Sequence, residues 1–520
     1  MTTIAPHGCW ASPVSLELVS RGGVGLPEGW ADGRDYYWLR SDPGQGGRTS
    51  LFRRRAGQTV ELTPHHNLRS RIHDYGGRPA GTKDGVVVYT DQDSGAVLVL
   101  EPDRPGGLAG DQTGRAEQTG GTADQTRRTS PVSRTAAPAG PGPAAPPGPA
   151  DPDAPTLAPR VIVSLPGLDF AGFAVLPRRR QAVALRQDRR DPADVRDALV
   201  VLELDAPNLD GGRVLAQGAD FYQAPQVSPE GDVVWMEWDH PNMPWDATAI
   251  KARHLDGGPT RPIAGDGRSA VVHPAWAPDG SILFLDDQSG HWNFRRWRDG
   301  AVSVLHRHPF DCCDPAWVLQ PPPYAPLADG SIGCAWREDG WAKLGRLIPD
   351  GRLVELDLWP ERTAAPDALP QATPADPAAA DARPETTPER PAAADTRPQT
   401  TPANPAAPDT RPQTRPANPA VAGGRPQDVP GGPGHLAASG LGQMASAQVT
   451  PGDPTAVVRL GWTDRPGGLY TLDWATGRLA PLAVSANWSP PPGLVPATRG
   501  LSWQSERGPV QAWHYPPTNP

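Results

Sequence analysis

Short apolar runs separated by turn-forming residues occupy most of this 520-residue chain. Representative runs are "DVVWMEW" at residues 232–238, "SILFLDD" at 281–287 and "SIGCAW" at 331–336. Runs of this length, rich in β-branched and aromatic residues and bounded by Gly, Pro or Asp, are typical of strands. No stretch has a long helical period. The pattern therefore predicts an all-β fold.

The turns that precede these runs recur at nearly constant spacing. They are "SPEG" at 228–231, "APDG" at 277–280 and "LADG" at 327–330, so their closing glycines lie 49 and 50 residues apart. A repeat of that size is typical of a β-propeller blade. Counting strands predicts seven blades, at about residues 14–62, 71–100, 161–204, 222–255, 271–305, 314–358 and 441–482.

Two segments interrupt this pattern, at residues 101–159 and 360–438. They hold many of the 67 prolines and almost no aromatic residues, so they cannot bury enough apolar surface to offset chain entropy. We predict two long disordered Pro/Ala-rich inserts, at a blade edge or between blades. The second contains a tandem repeat of about 14 residues, clearest from Asp395 and Asp409. It is interpreted as an extended spacer, with a docking tail for proline-binding modules as the alternative.

The predicted organisation follows from these boundaries. Blades 1 and 2 are expected in residues 1–100, blades 3–6 in 160–359 and the last blade in 439–497, with a C-terminal stub in 498–520.

Charge and cysteine content exclude several classes of protein. The net charge of −9 comes from interspersed charges without a basic face, which argues against nucleic acid as a partner. Four cysteines provide no disulfide framework, so a reducing cytoplasm is expected. The first residues lack the pattern of a signal peptide, and no run of 18 apolar residues occurs, so no membrane association is expected.

Four stretches resemble one known family. They are "HPAWAPDGSILFLDDQSGHWNFRRW" at 273–297, "IHDYGG" at 72–77, "WMEWDHPNMPWD" at 235–246 and "AWHYPPTNP" at 512–520. They are similar to propeller sequences of bacterial acylaminoacyl-peptidase and dipeptidyl-peptidase-like enzymes of the prolyl oligopeptidase family. The resemblance implies a propeller that covers a serine-peptidase active site and admits short peptides. It also implies an α/β-hydrolase domain after the propeller, with Ser, Asp and His in that order.

The catalytic signature of that hydrolase domain does not occur in this sequence. Neither a G-x-S-x-G nucleophile elbow nor a His-Gly-Gly loop is present. We therefore expect no catalytic residue and no cofactor in this chain, and no hydrolase activity from it alone. The resemblance implies that the chain is truncated, with residues 498–520 leading toward a missing hydrolase domain.

The expected function is a substrate-gating and docking domain whose partners are a peptide substrate, a separately encoded α/β-hydrolase domain, or both. The alternative is a non-enzymatic propeller scaffold for protein–protein interaction.

Two loops carry the candidate substrate contacts. The first offers His73, Asp74 and Tyr75, and the second has a larger set of polar and aromatic side chains. In the second loop these are Asp239, His240, Asn242, Trp245 and Asp246. The structural alternative is that Trp238 and Trp245 staple the second loop while Asp239 or Asp246 accepts backbone N–H groups. Tyr75 could likewise serve only packing.

A metal site is the remaining alternative. His306, His308, Cys312 and Cys313 offer zinc-binding atoms within eight positions. Adjacent cysteines point apart, however, and there is no second spaced pair. No metal is therefore expected.

Overall fold

The computed structural model describes residues 23–103, 158–338, 341–360, 427–429, 444–450, 455–463, 465–486, 496, 498–505 and 508–516. The two predicted inserts lie almost wholly outside these ranges. The described residues are nearly all β, as predicted. Helical structure within them amounts to two 3-10 turns of three residues, Pro43–Gln45 and Pro177–Arg179. None of the helical structure described here has the length or apolar character to cross a bilayer.

Seven antiparallel sheets succeed one another along the chain and form the predicted seven blades. Within each blade four consecutive strands pair in sequence order and form a meander, and the sheet of the seventh blade has one additional strand.

The strands of the first four blades are as follows. Blade 1 is β1 (Gly29–Asp32), β2 (Asp35–Asp42), β3 (Arg48–Arg55) and β4 (Gln58–Glu61). Blade 2 is β5 (Ala80–Lys83), β6 (Val86–Thr90), β7 (Val97–Leu100) and β8 (Arg160–Val163). Blade 3 is β9 (Leu168–Leu176), β10 (Gln181–Asp188), β11 (Arg196–Glu203) and β12 (Arg213–Gln217). Blade 4 is β13 (Phe221–Val227), β14 (Asp232–Trp238), β15 (Ala249–His254) and β16 (Arg261–Ala264).

The remaining blades and a small extra sheet complete the structure. Blade 5 is β17 (Val271–Trp276), β18 (Ile282–Asp286), β19 (Asn293–Arg298) and β20 (Ala301–Val304). Blade 6 is β21 (Tyr324–Pro326), β22 (Ile332–Glu338), β23 (Trp341–Leu347) and β24 (Leu353–Glu355). Two further short strands are β25 (Trp359–Pro360) and β26 (Gln427–Val429). Blade 7 is β27 (Met444–Thr450), β28 (Thr455–Trp462), β29 (Gly468–Asp473) and β30 (Arg478–Val484), with β25 added parallel to β30. A hairpin of β31 (Arg499–Ser505) and β32 (Gly508–His514) pairs with β26.

One blade boundary differs from the sequence prediction. Residue 161 was expected to open the third blade, but β8 pairs with β7 and is the outer strand of the second. The third blade begins at β9. The first insert therefore joins the third and fourth strands of one blade, where a long connection leaves the pairing of the other strands intact.

The predicted turn repeat is confirmed. Gly231, Gly280 and Gly330 all have positive φ, at 103°, 77° and 81°, which a residue with a Cβ rarely adopts. In each turn the glycine N–H donates at 3.0 Å to the carbonyl three residues earlier. The sequence repeat therefore corresponds to the same type of turn, which lies at the same edge of three successive blades.

The first strands of the blades lie nearest the propeller axis, because the first strands of several neighbouring blades contact each other, as β5 does β9 and β13 does β17. The core lies between blades. At the ring closure, Leu26 and Trp38 of the first blade pack with Val457, Leu469 and Leu482 of the seventh. No strand of the first blade's sheet comes from the last blade within the described residues, so apolar burial closes the ring.

Candidate functional site

The two faces of the propeller differ in what they carry. The glycine turns described above lie at one face, where first strands end and second strands begin. The opposite face holds the starts of the first strands. Because Phe221 pairs with Trp238, the loop that follows β14 lies at this second face as well. We call it the loop face and define it by residues 24–28, 64–79, 239–248 and 305–323.

A cavity of 1020 Å³ opens around the axis at the loop face. It is bounded by the segment before β1, the loop before β5 and the segment before β21. Its lining includes residues 25–29, 69–71, 74, 75, 77–79, 169, 189, 318–321, 323 and 459.

We call residues 317–323 the axial segment, and its residues 318–321 and 323 line the base of this cavity. The Leu319 N–H donates to the Gly76 carbonyl at 3.0 Å, and Gln223 Nε2 donates to the Val318 carbonyl at 3.1 Å. Pro321 also borders a second cavity, of 630 Å³, toward the glycine-turn face. The axial segment therefore lies between two cavities on the propeller axis and separates them.

Close packing holds the axial segment in place. A Cβ on Gly77 would lie 2.3 Å from the Leu319 carbonyl oxygen, so only glycine permits this approach. Gln320 Nε2 lies 3.3 Å from Nε2 of His273, which is completely buried in β17. Burial lowers the pKa of His273 to about 4, so its imidazole is neutral at pH 7.

The cavity lining is rich in charge. Five arginines and three carboxylates line it, and it contains no lysine or histidine. Glu28 pairs with Arg78 at 2.5 Å, while Arg189 pairs with Asp74 at 2.8 Å and with Asp169 at 3.2 Å.

The other three arginines of the lining are not in these pairs. Arg459 NH1 donates to the Pro27 carbonyl at 3.3 Å. Desolvation lowers the pKa of Arg459, and the charges of Glu28 and Asp314 act in the opposite direction. The side chains of Arg69 and Arg71 make no hydrogen bond or ion pair within the part of the chain that the structure describes.

The comparisons with known proteins establish the fold. No family model and no curated protein matches the chain. Its fold is similar to that of puromycin hydrolase. That superposition has a TM-score of 0.66 at 23% identity and covers 99% of this chain and 62% of that chain. A puromycin-hydrolyzing peptidase of Mycobacterium tuberculosis gives a TM-score of 0.66 at 22% identity, over 100% of this chain and 62% of that one. Prolyl oligopeptidase B from Galerina marginata gives 0.51 at 8% identity, over 95% and 56%. The chain thus spans less than two thirds of the length of these proteins.

The first predicted loop is split between the protein interior and the cavity. His73 Nε2 lies 2.6 Å from Oδ2 of the buried Asp197, and its ring contacts Phe221 edge-on at 5.1 Å. Asp74 and Tyr75 instead line the cavity, and Tyr75 is 69% exposed. One loop thus combines a buried anchor with two accessible side chains.

The second predicted loop lies on the same face but does not line the cavity. Asp239 Oδ1 accepts the Asp220 N–H at 2.8 Å, and Asp246 Oδ2 accepts the Met243 N–H at 2.9 Å. Asn242 Nδ2 donates to the Asp239 carbonyl at 3.3 Å. His240 packs on Phe221, with ring centroids 4.8 Å apart. These contacts match the structural alternative for the two carboxylates.

The expected tryptophan staple takes a different form. Trp245 packs against Trp317 of the axial segment at 4.3 Å, while Trp238 stacks on Phe221 at 5.2 Å. The second loop therefore braces the axial segment, because Trp245 reaches across to it and not to Trp238.

The His/Cys stretch belongs to the core of blades 5 and 6. His306 Nε2 accepts the Phe294 N–H at 3.0 Å, and Cys312 and Cys334 lie in one apolar cluster. Burial raises the pKa of Cys334 to about 12, so the thiol stays protonated. Across the described ranges, no three His, Cys, Asp or Glu side chains are grouped as metal ligands.

Sequence reasoning missed the arginines of the cavity and the axial segment. The only local signal for the former was "RSR" at 69–71, directly before the "IHDYGG" stretch. Arg189 and Arg459 belong to other blades, so they line the same cavity only because the blades close into a ring.

Proposed function

We propose that this chain is the substrate-docking and gating propeller of a prolyl-oligopeptidase-type serine peptidase that acts on short peptides. The observation that carries the proposal is the 1020 Å³ cavity on the loop face, closed at its base by the axial segment. Cavities near this size enclose small ligands and short peptides but not folded proteins. The similarity in fold to two proteins named as hydrolysing puromycin supports the choice of class.

The loop face also provides a surface on which a hydrolase domain could dock. Tyr75, Trp317, Val318 and Met243 are large apolar side chains that are 69%, 58%, 41% and 42% exposed. A face that carries several exposed large apolar side chains is typical of an interaction surface. The segments before β1 and after β30 also meet at this face, where the Val24 N–H donates to the Ser485 carbonyl at 2.8 Å. A hydrolase domain placed here would cover the cavity.

In this proposal the chain supplies no nucleophile, because its sequence lacks a G-x-S-x-G elbow. Its substrates are those of the acylaminoacyl-peptidase or dipeptidyl-peptidase-like branch, and its location is the cytoplasm. Three free thiols, Cys312, Cys313 and Cys334, fit that compartment.

The test is to co-produce the chain with an α/β-hydrolase polypeptide encoded beside it, and to measure complex formation by light scattering. We expect a one-to-one complex that cleaves acyl-peptide or aminoacyl nitroanilides but spares folded proteins. The chain alone should not react with a fluorophosphonate probe. Trp317→Ala should weaken the complex, whereas Val302→Ala, which removes an exposed side chain on β20, should not.

Two results would contradict the proposal. One is specific fluorophosphonate labelling of the chain alone. The other is failure to find or bind any such hydrolase, which would favour the non-enzymatic scaffold.

A further inference from the structure

We propose that the loop-face cavity is a carboxylate-binding site formed by Arg69 and Arg71, and that it selects short peptides through a carboxylate group. The inference deepens the proposed function, on which it rests, because it names the class of peptide that the propeller favours.

The charge balance of the cavity is the first step. All three carboxylates in the lining are paired with Arg78 or Arg189. Five arginines against three carboxylates leave the lining with an excess of two positive charges. The whole chain has a net charge of −9, so this local excess is opposite in sign to the average of the protein. An anionic ligand would therefore be attracted to this cavity.

The second step is the way the two arginines are held. Leu68 and Ile72 are buried on either side of them, at 1% and 0% exposure, whereas Arg69 and Arg71 are exposed. The Leu68 N–H donates to the Thr49 carbonyl at 2.8 Å, and the Asp74 N–H donates to the Arg71 carbonyl at 2.9 Å. The backbone is thus fixed on both sides while two guanidinium groups stay available to a ligand. A site whose backbone is already ordered loses less entropy on binding.

The third step is the chemistry of the ligand. A guanidinium matches a carboxylate with two parallel N–H donors, and such charge-assisted hydrogen bonds are about twice as strong as neutral ones. Apolar lining residues such as Leu26, Tyr75 and Val318 would contact the aliphatic part of a peptide. The carboxylate could come from an acidic side chain or from the peptide C-terminus, and the test separates these two sources.

The test uses calorimetric titration of the full chain with blocked tripeptides. The acidic side chain is probed with acetyl-Ala-Glu-Ala-amide and its neutral isostere acetyl-Ala-Gln-Ala-amide. The C-terminal carboxylate is probed with acetyl-Ala-Ala-Ala against its amide. Inorganic phosphate serves as a small anion without peptide groups. We expect the carboxylate-bearing member of at least one pair to bind about tenfold more tightly, and added salt to weaken that preference.

The variants decide which residues are responsible. Arg69→Gln and Arg71→Gln should each remove most of the preference, whereas Arg307→Gln should not. Arg307 is an exposed arginine of the same face that does not line the cavity. Asp74→Asn should tighten binding of the acidic peptide, because it removes a negative charge from the lining and leaves Arg189 paired with Asp169 alone of these two carboxylates. Unchanged melting temperatures would confirm that each variant is folded.

Several results would overturn the inference. They are equal affinity within both peptide pairs, loss of the preference in Arg307→Gln, or phosphate binding as tight as the acidic peptide. Failure here is distinguishable from failure of the proposed function, because peptide affinity is measured without a hydrolase domain. A chain that forms the hydrolase complex but ignores peptide charge would refute only this inference.

Discussion

The loops at residues 68–79 and 239–248 both lie on the loop face, and both carry histidine, aspartate and aromatic side chains. The first lines the axial cavity with Asp74 and Tyr75, whereas the second uses Asp239 and Asp246 to accept backbone N–H groups of its own blade. The difference arises from their connections. The first loop leads into an inner strand, whereas the second joins the middle strands β14 and β15. Position within the blade therefore decides which loop reaches the axis.

A second contrast is in how each loop is anchored. The first has a buried ion pair or hydrogen bond between His73 and Asp197, whose side chain is 1% exposed. The second is held by hydrogen bonds at exposed positions and by the contact of Trp245 with Trp317. We expect these two types of anchor to differ in energy, because a buried carboxylate that loses its partner is far more costly than an exposed one.

The largest expected effect is therefore at His73. Replacing it in His73→Ala leaves the Asp197 carboxylate with Gln187 as its remaining side-chain partner, at 2.8 Å. We expect a loss of about 3 kcal/mol in the free energy of unfolding, measured by urea denaturation. His65→Ala removes an exposed histidine of the same face and should cost almost nothing. Equal effects of the two substitutions would show that the first loop has no buried anchor.

The sequence predicted the number of blades and most of their boundaries, but it did not predict the cavity. The spacing of Gly231, Gly280 and Gly330 reflects local turn geometry, which depends on a few adjacent residues and is therefore readable. The pairing of β8 with β7 was missed because its partner lies beyond a long insert. Arg459 meets Arg69 and Arg71 only after ring closure, and no local pattern encodes that meeting.

The axial segment had no signature beyond "QPPPY" at 320–324, which predicts only an irregular chain. Its position depends on contacts with several blades, including the close approach of Leu319 to Gly77. The site is therefore less predictable than the fold, because it is assembled from residues that are far apart in sequence.

The second-largest expected effect is on the pH dependence of the free energy of unfolding. It arises at His273, which lies beside the axial segment at the base of the cavity. Burial lowers the pKa of His273 to about 4, below the value of an unfolded histidine near 6.5. The unfolded chain therefore binds more protons between these values, and stability must fall as the pH drops through 6.5 toward 4. We expect His273 alone to account for a loss of about 2 kcal/mol between pH 7 and pH 5.

Denaturation at both pH values, with His273→Gln for comparison, checks this expectation. The variant should lose that part of the pH dependence. His306, whose pKa burial also lowers to about 4, would still contribute in both proteins. An unchanged slope in the variant would mean that His273 titrates normally and is open to water.

The smallest expected effect is at the second loop. It tests the difference between the two loops most directly. Asp239→Ala and Asp246→Ala each remove one acceptor of an exposed backbone N–H, so each should cost about 1 kcal/mol or less in the free energy of unfolding. Neither side chain lines the axial cavity, so we expect the affinity for short peptides to stay within a factor of two of the unaltered chain. Asp74→Asn, in the first loop, should instead change that affinity while leaving stability nearly unaltered, because its carboxylate is 84% exposed. Calorimetric titration with the acidic tripeptide, together with urea denaturation of all three variants, separates binding from stability. If Asp239→Ala or Asp246→Ala lost peptide affinity at unchanged stability, the second loop would contact substrate, and its hydrogen bonds would be exchanged for the ligand when a peptide binds.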